Sequence, residues 1–321
     1  MNTLTVADAK KACARALEET SPTPLLDAEC LLQHILGCDR TQLLLRRGDL
    51  LTDRQAEAVA AATEKRKTGL PIAYITGHKE FFGYDFYVTP AVLIPKPDTE
   101  LLVELTLSAI EDKRLARASR VLTLCDMCTG SGCVGISIQA ENAKKDDAQN
   151  LATTFVDISA AALDIARANA ERLLFQANVP NSAVHFVQSN LFENIPHTFD
   201  LIVTNPPYVP GNEARELLKD GRNEPLLALD GDVNDDGSRA ESSDGLNLIR
   251  RLIPQCYGHL CHNGVLLMET GEYNAEEAAR LFEATGFRGV HIERDLSGLL
   301  RVVCGVKSPT LDAERRGMVF S

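Results

Sequence analysis

The N-terminal part of the chain has the hydrophobic pattern of short helices. Apolar residues recur at steps of three and four from Leu25 to Leu36, which places them on one helix face. Thr52 and Gln55 have the spacing of a capping box in front of a further helical segment. This pattern predicts a small N-terminal all-α domain over residues 1–75.

The segment that follows changes from helical spacing to an aromatic, β-prone pattern. Two such runs flank Gly83 and predict a β-hairpin. Three closely spaced prolines then prevent regular structure until a helix begins around Asp98. We therefore expect a β-hairpin linker over residues 76–95, in front of a larger domain over residues 96–321.

In the larger domain, apolar β-prone runs alternate with helical runs. The predicted strands cover residues 120–125, 153–157, 183–188, 199–203, 264–270, 290–295 and 300–306. The predicted helices between them cover residues 132–142, 159–175, 244–258 and 274–286. Such alternation is typical of an α/β fold with a parallel sheet that is covered by helices on both faces.

Two segments of the larger domain depart from simple alternation. The last two strands are joined by only four residues, too few for a crossover helix, so they should form an antiparallel hairpin. The domain should therefore be Rossmann-like, with a mostly parallel seven-stranded sheet that ends in an antiparallel hairpin. Residues 230–245 are polar, acidic and glycine-bearing, and we expect them to form a mobile surface insertion.

Composition narrows the class of protein. The net charge is −12 and the pI is about 5.1, whereas proteins that bind a nucleic-acid backbone rely on clustered Lys and Arg. We therefore expect no direct contact with nucleic acid. No run approaches about 18 uncharged apolar residues, so no membrane span is predicted. Nine cysteines without an N-terminal signal segment favour reduced thiols and a cytoplasmic protein.

The cysteines also raise the question of a metal site. Cys125 and Cys128 have the spacing of a redox or zinc-binding pair, but Cys256 and Cys261 do not form a matching second pair. Free cysteines are commonly small buried residues, and we expect these to pack around a strand end without a metal.

A glycine-rich loop follows the first strand of the sheet and opens the next helix. Gly130, Gly132 and Gly135 match the pattern GxGxxG, and Asp157 ends the following strand. Glycines let the backbone approach a ligand, and the carboxylate accepts hydrogen bonds from a ribose, either of NAD or of S-adenosylmethionine. Asp126 favours S-adenosylmethionine, because an acid there attracts a sulfonium and an amino group but repels a pyrophosphate.

A rigid polar corner, "NPPY", follows the fourth strand. Ligands of such sheets bind beyond the carboxyl ends of the strands, so Asn205 should lie beside the glycine loop. The prolines hold the backbone extended, so the Asn205 side-chain oxygen and the Pro206 carbonyl become acceptors on a rigid frame. Tyr208 adds a flat aromatic face. This corner predicts a site for a planar NH₂ group, an amide or an exocyclic amine, held in line with a methyl donor.

With these motifs the sequence closely resembles the HemK/PrmC family, glutamine-N(5) methyltransferases that modify peptide-chain release factors. The resemblance covers almost the whole chain and is carried by "PIAYITGHKEFFGYDFYVTPAVLIPKPDTELLVE", "TGSG", "VDIS", "NPPYV", "NEPLLALDG", "DGLNLIRRLI" and "ETG". It implies that S-adenosylmethionine is bound by Cys128, Thr129, Gly130, Ser131, Gly132, Asp157, Asn190, Leu191 and Asn205. It implies that the substrate glutamine is held by Asn205, Pro206, Pro207 and Tyr208, with Asn205, Pro206 and Tyr208 as catalytic residues.

The resemblance also implies a release factor as protein substrate, docked by the N-terminal helices. We expect the enzyme to be a monomer. Family members usually carry Gly at the position of Cys128, Arg at Lys96, Glu at Asp98 and Asp at Asn190. Two alternative substrates stay open. One is a glutamine of a ribosomal protein, and the other is the adenine-N(6) group of DNA or RNA, against which the acidic charge weighs.

Overall fold

The structure is a computed structural model that describes residues 4–116, 121–145, 150–221, 223–234, 238, 240–241 and 243–308. The chain divides into two compact units. The described residues of the first lie within Met1–His78, Val88–Pro90 and Glu216–Glu224, and those of the second lie within Lys79–Tyr87, Ala91–Arg215 and Pro225–Ser321. The domain boundaries at residues 75 and 95 stay predictions.

Short helices dominate the first unit, which confirms the predicted N-terminal helical region. They are α1 (Val6–Leu17), α2 (Pro24–Leu36), α3 (Arg40–Leu45), α4 (Asp53–Lys67) and α5 (Ile72–Thr76). The Thr52 hydroxyl accepts from the Gln55 N–H at 3.2 Å and the Gln55 side chain accepts from the Thr52 N–H at 3.0 Å, as a capping box requires. Leu17, Leu31 and Leu32 are fully buried between the helices.

The remaining elements follow in chain order. The helices are α6 (Glu100–Ala116), α7 (Cys133–Ala143), α8 (Ala160–Gln176), α9 (Gly211–Leu217), α10 (Asn247–His259) and α11 (Ala275–Thr285). The strands are β1 (His78–Phe81), β2 (Tyr84–Tyr87), β3 (Leu122–Met127), β4 (Leu151–Asp157), β5 (Val184–Gln188), β6 (Phe199–Thr204), β7 (Leu260–Glu269), β8 (Phe287–Arg294) and β9 (Leu300–Lys307). The strands β1 and β2 pair with each other, whereas β3 to β9 form one larger sheet.

The larger sheet has seven strands in the order β5-β4-β3-β6-β7-β9-β8. All pairs from β5 to β7 are parallel, and β9 is antiparallel to both β7 and β8. This arrangement confirms the predicted α/β fold with a mostly parallel sheet and an antiparallel end. The strand β9 can return directly alongside β8 because no helix separates them.

Side chains of the central strands alternate between two buried clusters. Leu124 of β3 and Leu201 of β6 belong to one cluster, whereas Cys125 of β3 and Ile202 of β6 belong to the other. Since successive residues of a strand point to opposite faces, the sheet is covered on both sides. That is why these strands are apolar along nearly their whole length.

The register of β3 and β6 determines where a ligand can bind. Met127 of β3 lies opposite Thr204 of β6, so both strands end at the same level. The residues that follow, Cys128 and Asn205, therefore leave the sheet next to each other. The glycine loop and the "NPPY" corner share this edge of the sheet, as the strand order predicted.

The acidic segment at 230–245 differs from the surface insertion that its composition predicts. Asp230 and Asp232 are buried, and the Asp232 carboxylate accepts hydrogen bonds from the Gly211 N–H at 3.1 Å and the Gly245 N–H at 2.9 Å. For these two acids the prediction of exposure is wrong, because backbone donors replace their water contacts. Residues 235–237, 239 and 242 of this segment lie outside the described residues.

Close packing around Gly135 leaves no room for a side chain at this position. A Cβ atom there would lie 2.5 Å from Phe155 Cε1 and 2.8 Å from Asp126 Oδ2, whereas a Cβ atom at Gly258 in α10 meets nothing within 4 Å. We expect Gly135→Ala to lower the free energy of unfolding by about 1–3 kcal/mol, as overpacking does. Gly258→Ala should be neutral or stabilise by up to about 1 kcal/mol. Urea denaturation of both variants measures the difference, and equal stabilities would contradict the packing argument.

Candidate functional site

A cleft of about 370 Å³ opens at the carboxyl edge of the seven-stranded sheet. It brings together most residues that the sequence predicts for the site: Asp126, Cys128, Thr129, Gly130, Ser131, Asp157, Asn190, Leu191, Asn205 and Pro207. Gly132, Pro206 and Tyr208 lie beside this cleft without lining it. The roles of all these residues stay predictions.

The glycine loop leaves an open wall in the cleft. Gly130 has a φ of 55°, and a Cβ atom there would meet nothing within 4 Å, so the space beside its backbone is open. Gly132 has a φ of 80° at the N-terminus of α7, where a Cβ atom would lie 2.7 Å from Ile136 Cδ1. The first glycine therefore admits a ligand, and the second lets the loop turn into the helix.

Cys128 takes a backbone conformation that glycine adopts more readily. Its φ is 60°, in the left-handed region, and its side chain lines the cleft. Burial raises the pKa of the Cys128 thiol, so the thiol is neutral and not a thiolate nucleophile. The buried Cys125 and Cys256 belong to the core cluster, as the sequence predicts for free cysteines.

Asp157 at the end of β4 organises the loop as well as lining the cleft. Its Oδ2 accepts from the Gly130 N–H and its Oδ1 accepts from the Ser159 N–H, both at 2.9 Å. A carboxylate has about four acceptor positions, so these two bonds leave capacity for a ribose hydroxyl. Burial raises the pKa of Asp157, and the backbone hydrogen bonds oppose that rise.

Asp126, near the end of β3, holds the glycine loop through hydrogen bonds. It is buried, and its Oδ2 accepts from the Thr129 hydroxyl at 2.7 Å and from the Gly135 N–H at 3.0 Å. Burial, with a smaller contribution from the neighbouring Asp157, raises the pKa of Asp126 to about 7, although the hydrogen bonds from Thr129 and Gly135 lower it. The sequence predicted only attraction for a cationic ligand, whereas the structure also gives this carboxylate a role in holding the loop against α7.

Asn190 and Leu191 form a second wall of the cleft. The Asn190 side-chain NH₂ donates to Glu193 Oε1 at 2.9 Å, so the donor that Asn adds relative to Asp has a local partner. The Asn190 side-chain oxygen keeps its capacity to accept a hydrogen bond. Leu191 has a φ of 50° and is buried, so it contributes an apolar surface at a sharp backbone bend.

The "NPPY" corner is tied down at both ends. At one end, Asn205 Nδ2 donates to the Thr99 hydroxyl at 3.2 Å, which directs the amide oxygen away from Thr99. At the other end, the Tyr208 hydroxyl donates to Glu269 Oε1 at 3.1 Å. Burial raises the pKa of Tyr208, and the Glu269 carboxylate raises it further. The Asn205 amide and the Tyr208 hydroxyl are therefore both neutral, and hydrogen bonds fix the orientation of each.

Several cleft residues have no counterpart among the residues predicted from sequence. Thr99 holds Asn205, and a wall of the cleft comes from Pro225, Leu227, Ala228 and Asp230. The motif "NEPLLALDG" contains that wall, so a motif signal existed for it. Thr99 also lies in a quoted motif, "PKPDTELLVE", and Glu269 lies in "ETG". Neither motif indicates that Thr99 contacts Asn205 or that Glu269 contacts Tyr208, because these contacts join segments that are distant in sequence.

Among the described residues, no helix is long and apolar enough to cross a membrane. Over the same residues, no group of three or more His, Cys, Asp or Glu side chains is arranged to hold a metal ion. The chain has 45 Asp and Glu residues against 33 Lys and Arg residues, which gives the net charge of −12.

Two family models match the chain. The PrmC N-terminal domain matches residues 8–77, and the methyltransferase small domain matches residues 100–226. Similar proteins from several bacteria are named release factor glutamine methyltransferase. That of Burkholderia pseudomallei is 35% identical over 298 residues, which cover 92% of this chain and 96% of the relative. That of Koribacter versatilis is 39% identical, with coverage of 89% and 92%, and that of Coxiella burnetii is 35% identical, with coverage of 94% and 98%.

The buried Asp126 should make stability depend on pH. Its pKa is about 7 in the folded protein against 3.8 as the ordinary value, so the folded state holds a proton that the unfolded chain releases. The contribution is fully present below the unfolded pKa and is lost as pH rises through the folded pKa. We expect the melting temperature to fall by a few degrees from about pH 5 to about pH 8, and to fall less in Asp126→Asn.

Calorimetry without added ligand measures this difference. Glu269, whose pKa burial also raises to about 7, remains in the variant and accounts for a residual slope. Equal slopes in the wild type and Asp126→Asn would show that Asp126 is already ionised in the folded protein.

Proposed function

We propose that this chain methylates a glutamine of a peptide-chain release factor. The chain belongs to the family of release factor glutamine methyltransferases. The acceptor is the side-chain amide nitrogen of the Gly-Gly-Gln motif, and S-adenosylmethionine is the methyl donor. The observation that carries the proposal is the placement of "NPPY" beside the glycine loop, in a chain whose relatives of that name align over nearly their full length.

The cleft fits the proposed donor. Gly130 leaves open space where a side chain would otherwise stand, and Asp157 has acceptor capacity for a ribose. Asn190 offers an amide oxygen to the adenine, beside the apolar Leu191. Thr129, Ser131 and Cys128 complete the wall next to Asp126. When bound, S-adenosylmethionine supplies a methyl group on a positively charged sulfur.

The corner prepares the acceptor nitrogen. An amide nitrogen is a poor nucleophile because its lone pair is delocalised into the carbonyl. Acceptors for both of its hydrogens, the Asn205 oxygen and the Pro206 carbonyl, increase the electron density on nitrogen and orient it. Asn205 offers its oxygen because its NH₂ group is held by Thr99. Pro207 and the ring of Tyr208 then limit where the amide plane can lie.

The charge of the chain supports a protein acceptor over adenine. A net charge of −12 opposes a polyphosphate, whereas a loop of a protein carries no such charge density. We also infer that the enzyme works in the cytoplasm as a monomer, without direct nucleic acid or membrane contact. The absence of a membrane-crossing helix among the described residues is compatible with this inference.

The N-terminal helices are proposed to dock the release factor. Their surface carries leucines that a solvated helix face rarely needs, with Leu44 67% and Leu45 78% exposed in α3. Leu25 and Leu26 of α2 are also exposed and line a shallow groove. Burial of such side chains on a partner would strengthen binding without any change at the methyl-transfer site.

Methyl transfer can be tested directly with labelled S-adenosylmethionine. The purified chain should label a release factor and should not label the same factor with the glutamine of Gly-Gly-Gln replaced. Asn205→Ala should lower kcat at least about 100-fold, because an oriented acceptor is lost from the reacting group. Binding of S-adenosylmethionine to this variant, measured by calorimetry, should weaken much less.

Several outcomes would contradict the proposal. Equal labelling of both release factors would place the methyl group on another residue. Labelling of DNA or RNA in place of the factor would support the adenine alternative, and labelling of a ribosomal protein would support the other. Retained turnover in Asn205→Ala would remove the corner from the mechanism.

Docking by the first unit predicts a difference between large and small substrates. Leu44→Ser with Leu45→Ser should raise KM about tenfold for the whole release factor but leave KM unchanged for a short peptide that contains Gly-Gly-Gln. Leu296→Ser is the matched control, since Leu296 is a fully exposed leucine of the loop between β8 and β9. Equal effects on both substrates, or an equal effect of the control, would argue against docking by α3.

A further inference from the structure

The backbone carbonyl of Tyr208 ends the "NPPY" corner, and two side chains of the loop between β7 and α11 hold it. Asn274 Nδ2 donates to this carbonyl oxygen at 3.1 Å, and the Tyr273 hydroxyl donates to it at 3.4 Å. A carbonyl oxygen has two lone pairs, so these two donors use its full accepting capacity. The proposed mechanism has so far no role for either side chain.

The backbone around the same carbonyl is closely packed. Gly245 has a φ of 76°, and a Cβ atom there would lie 2.1 Å from the Tyr208 carbonyl oxygen, so the backbone of Gly245 lies directly against it. The next residue is also held, since the Val209 N–H donates to the Leu229 carbonyl and the Val209 carbonyl accepts from the Gly231 N–H, both at 2.9 Å. These contacts make the Tyr208 carbonyl a poor acceptor for a substrate amide.

The state of the Tyr208 carbonyl affects the Pro206 carbonyl, which the proposed transfer uses. A free Tyr208 carbonyl would compete for a hydrogen of the substrate amide only two residues from the intended acceptor. The ring of Pro207 fixes its own φ and keeps Pro206 extended, so a rotation of Tyr208 would be passed on to the Pro206 carbonyl. Holding the Tyr208 carbonyl therefore removes a competing acceptor and keeps the intended one in place.

Asn274 makes this contact instead of the usual one for its position in the helix. It is the N-cap residue of α11, where Asn commonly accepts from an N–H of the first turn. In the described part of the chain its side chain makes no capping hydrogen bond, and its buried Oδ1 has no hydrogen-bond partner. Local helix stability does not explain this arrangement. Departures of this kind from a local rule are expected at functional sites.

Tyr273 is the more exposed of the two donors. Its side chain is 62% exposed, and its ring lies against Gly271, where a Cβ atom would be 3.0 Å from the ring atom Cε1. The distance of 3.4 Å from its hydroxyl to the Tyr208 carbonyl makes this the weaker hydrogen bond. Asn274 is 3% exposed and does not line the cleft, so it is the buried and stronger donor.

We propose that Asn274 is a positioning residue for methyl transfer: its NH₂ group occupies the Tyr208 carbonyl, so that the substrate amide is held by the two acceptors that precede it in the corner. Those acceptors are the Asn205 side-chain oxygen and the Pro206 carbonyl. The inference rests on the proposed function, since it names the residue that selects among the acceptors of that site. Asn274 acts through Tyr208 and not on the substrate itself.

The first test uses two variants of the full-length chain that keep a preferred N-cap residue at α11. The Asp carboxylate cannot donate to the Tyr208 carbonyl, and the Ser hydroxyl is one bond shorter than the Asn amide. Asn274→Asp and Asn274→Ser should each lower kcat about tenfold, the effect of losing one hydrogen bond. The KM for the release factor and the dissociation constant of S-adenosylmethionine should change less than about twofold.

The loss should not depend on the size of the substrate. The kcat should fall by the same factor for the whole release factor and for a short peptide that contains Gly-Gly-Gln, because the affected atoms belong to the acceptor site and not to the docking helices. Tyr273→Phe removes the weaker hydrogen bond and should lower kcat less than Asn274→Asp does. A larger loss in Tyr273→Phe, or a loss confined to the whole factor, would overturn the role of Asn274.

Gln139→Glu is the matched control. Gln139 of α7 is 2% exposed, and its Nε2 donates at 2.9 Å to the carbonyl of Leu151, at the start of β4 and away from the cleft. This change also replaces a buried amide with a carboxylate, but kcat should stay as in the wild type at temperatures where the variant is folded. An equal loss of kcat in this control would make the effect one of general stability and overturn the proposal.

Two further results would overturn the positioning role. One is wild-type kcat in both Asn274→Asp and Asn274→Ser, which would show that the corner works without the NH₂ donor. The other is a loss of cofactor affinity as large as the loss of kcat, which would show that Asn274 shapes the cofactor cleft and not the acceptor site.

The hydrogen bond at the Tyr208 carbonyl can also be observed without a substrate. The chain has two Tyr-Val pairs, Tyr87–Val88 and Tyr208–Val209. Protein labelled with ¹³C in the Tyr carbonyls and ¹⁵N in Val therefore gives two correlated NMR signals. Tyr208→Phe removes one of them and so identifies it.

The two proposals can therefore fail separately. If the wild type leaves the release factor unlabelled, the proposed function fails, and the ¹³C signal of the Tyr208 carbonyl then decides the positioning role. Asn274→Ser should shift this signal, because the carbonyl loses a donor, and should leave that of the Tyr87 carbonyl, which accepts from Asn169 Nδ2 at 2.9 Å. An unshifted Tyr208 signal in both Asn274→Ser and Asn274→Asp would overturn the positioning role whatever the substrate is.

Discussion

The parallel pairing of β3 with β6 is the constraint on which the candidate site depends. Because Met127 lies opposite Thr204, the loops that begin at Cys128 and Asn205 leave the sheet side by side. One loop bends back into a helix through glycines, and the other is kept extended by prolines. A cleft opens between them, since neither loop can fill the space beyond the strand ends.

Buried carboxylates lie at the same edge of the sheet. Their desolvation lowers the stability of the fold, but their hydrogen bonds fix the orientation of neighbouring side chains. Asp126 and Glu269 both have raised pKa values of about 7, because burial disfavours their ionised forms. Asp126 accepts a hydrogen bond from Thr129, which lines the cleft, and Glu269 accepts one from Tyr208, which lies beside the cleft. Carboxyl groups with shifted pKa values are common at ligand-binding sites. Here the hydrogen bonds of Asp126 hold the glycine loop, and those of Glu269 hold the Tyr208 hydroxyl.

Predictions from sequence succeeded where the signal is local. The seven strands of the sheet were recognisable because they are nearly continuous apolar runs separated by helices, and the capping box of Thr52 and Gln55 is a signal within one turn. The helix α9 was not predicted, since it is short and follows the prolines of the corner closely. Asp232 was taken for a surface residue because composition does not reveal that the Gly211 and Gly245 N–H groups would replace its water contacts.

The sequence by itself determined the class of fold, the glycine loop and the rigid acceptor corner, because hydrophobic period, glycine and proline act on the backbone nearby. Only the tertiary structure decided which atoms of these residues are available. Thr99 occupies the amide nitrogen of Asn205, Glu193 occupies that of Asn190, and Asp157 holds the Gly130 N–H. Apart from the local bond to Glu193, these contacts join segments far apart in the chain. Their geometry depends on strand order and register, which no short stretch of sequence contains.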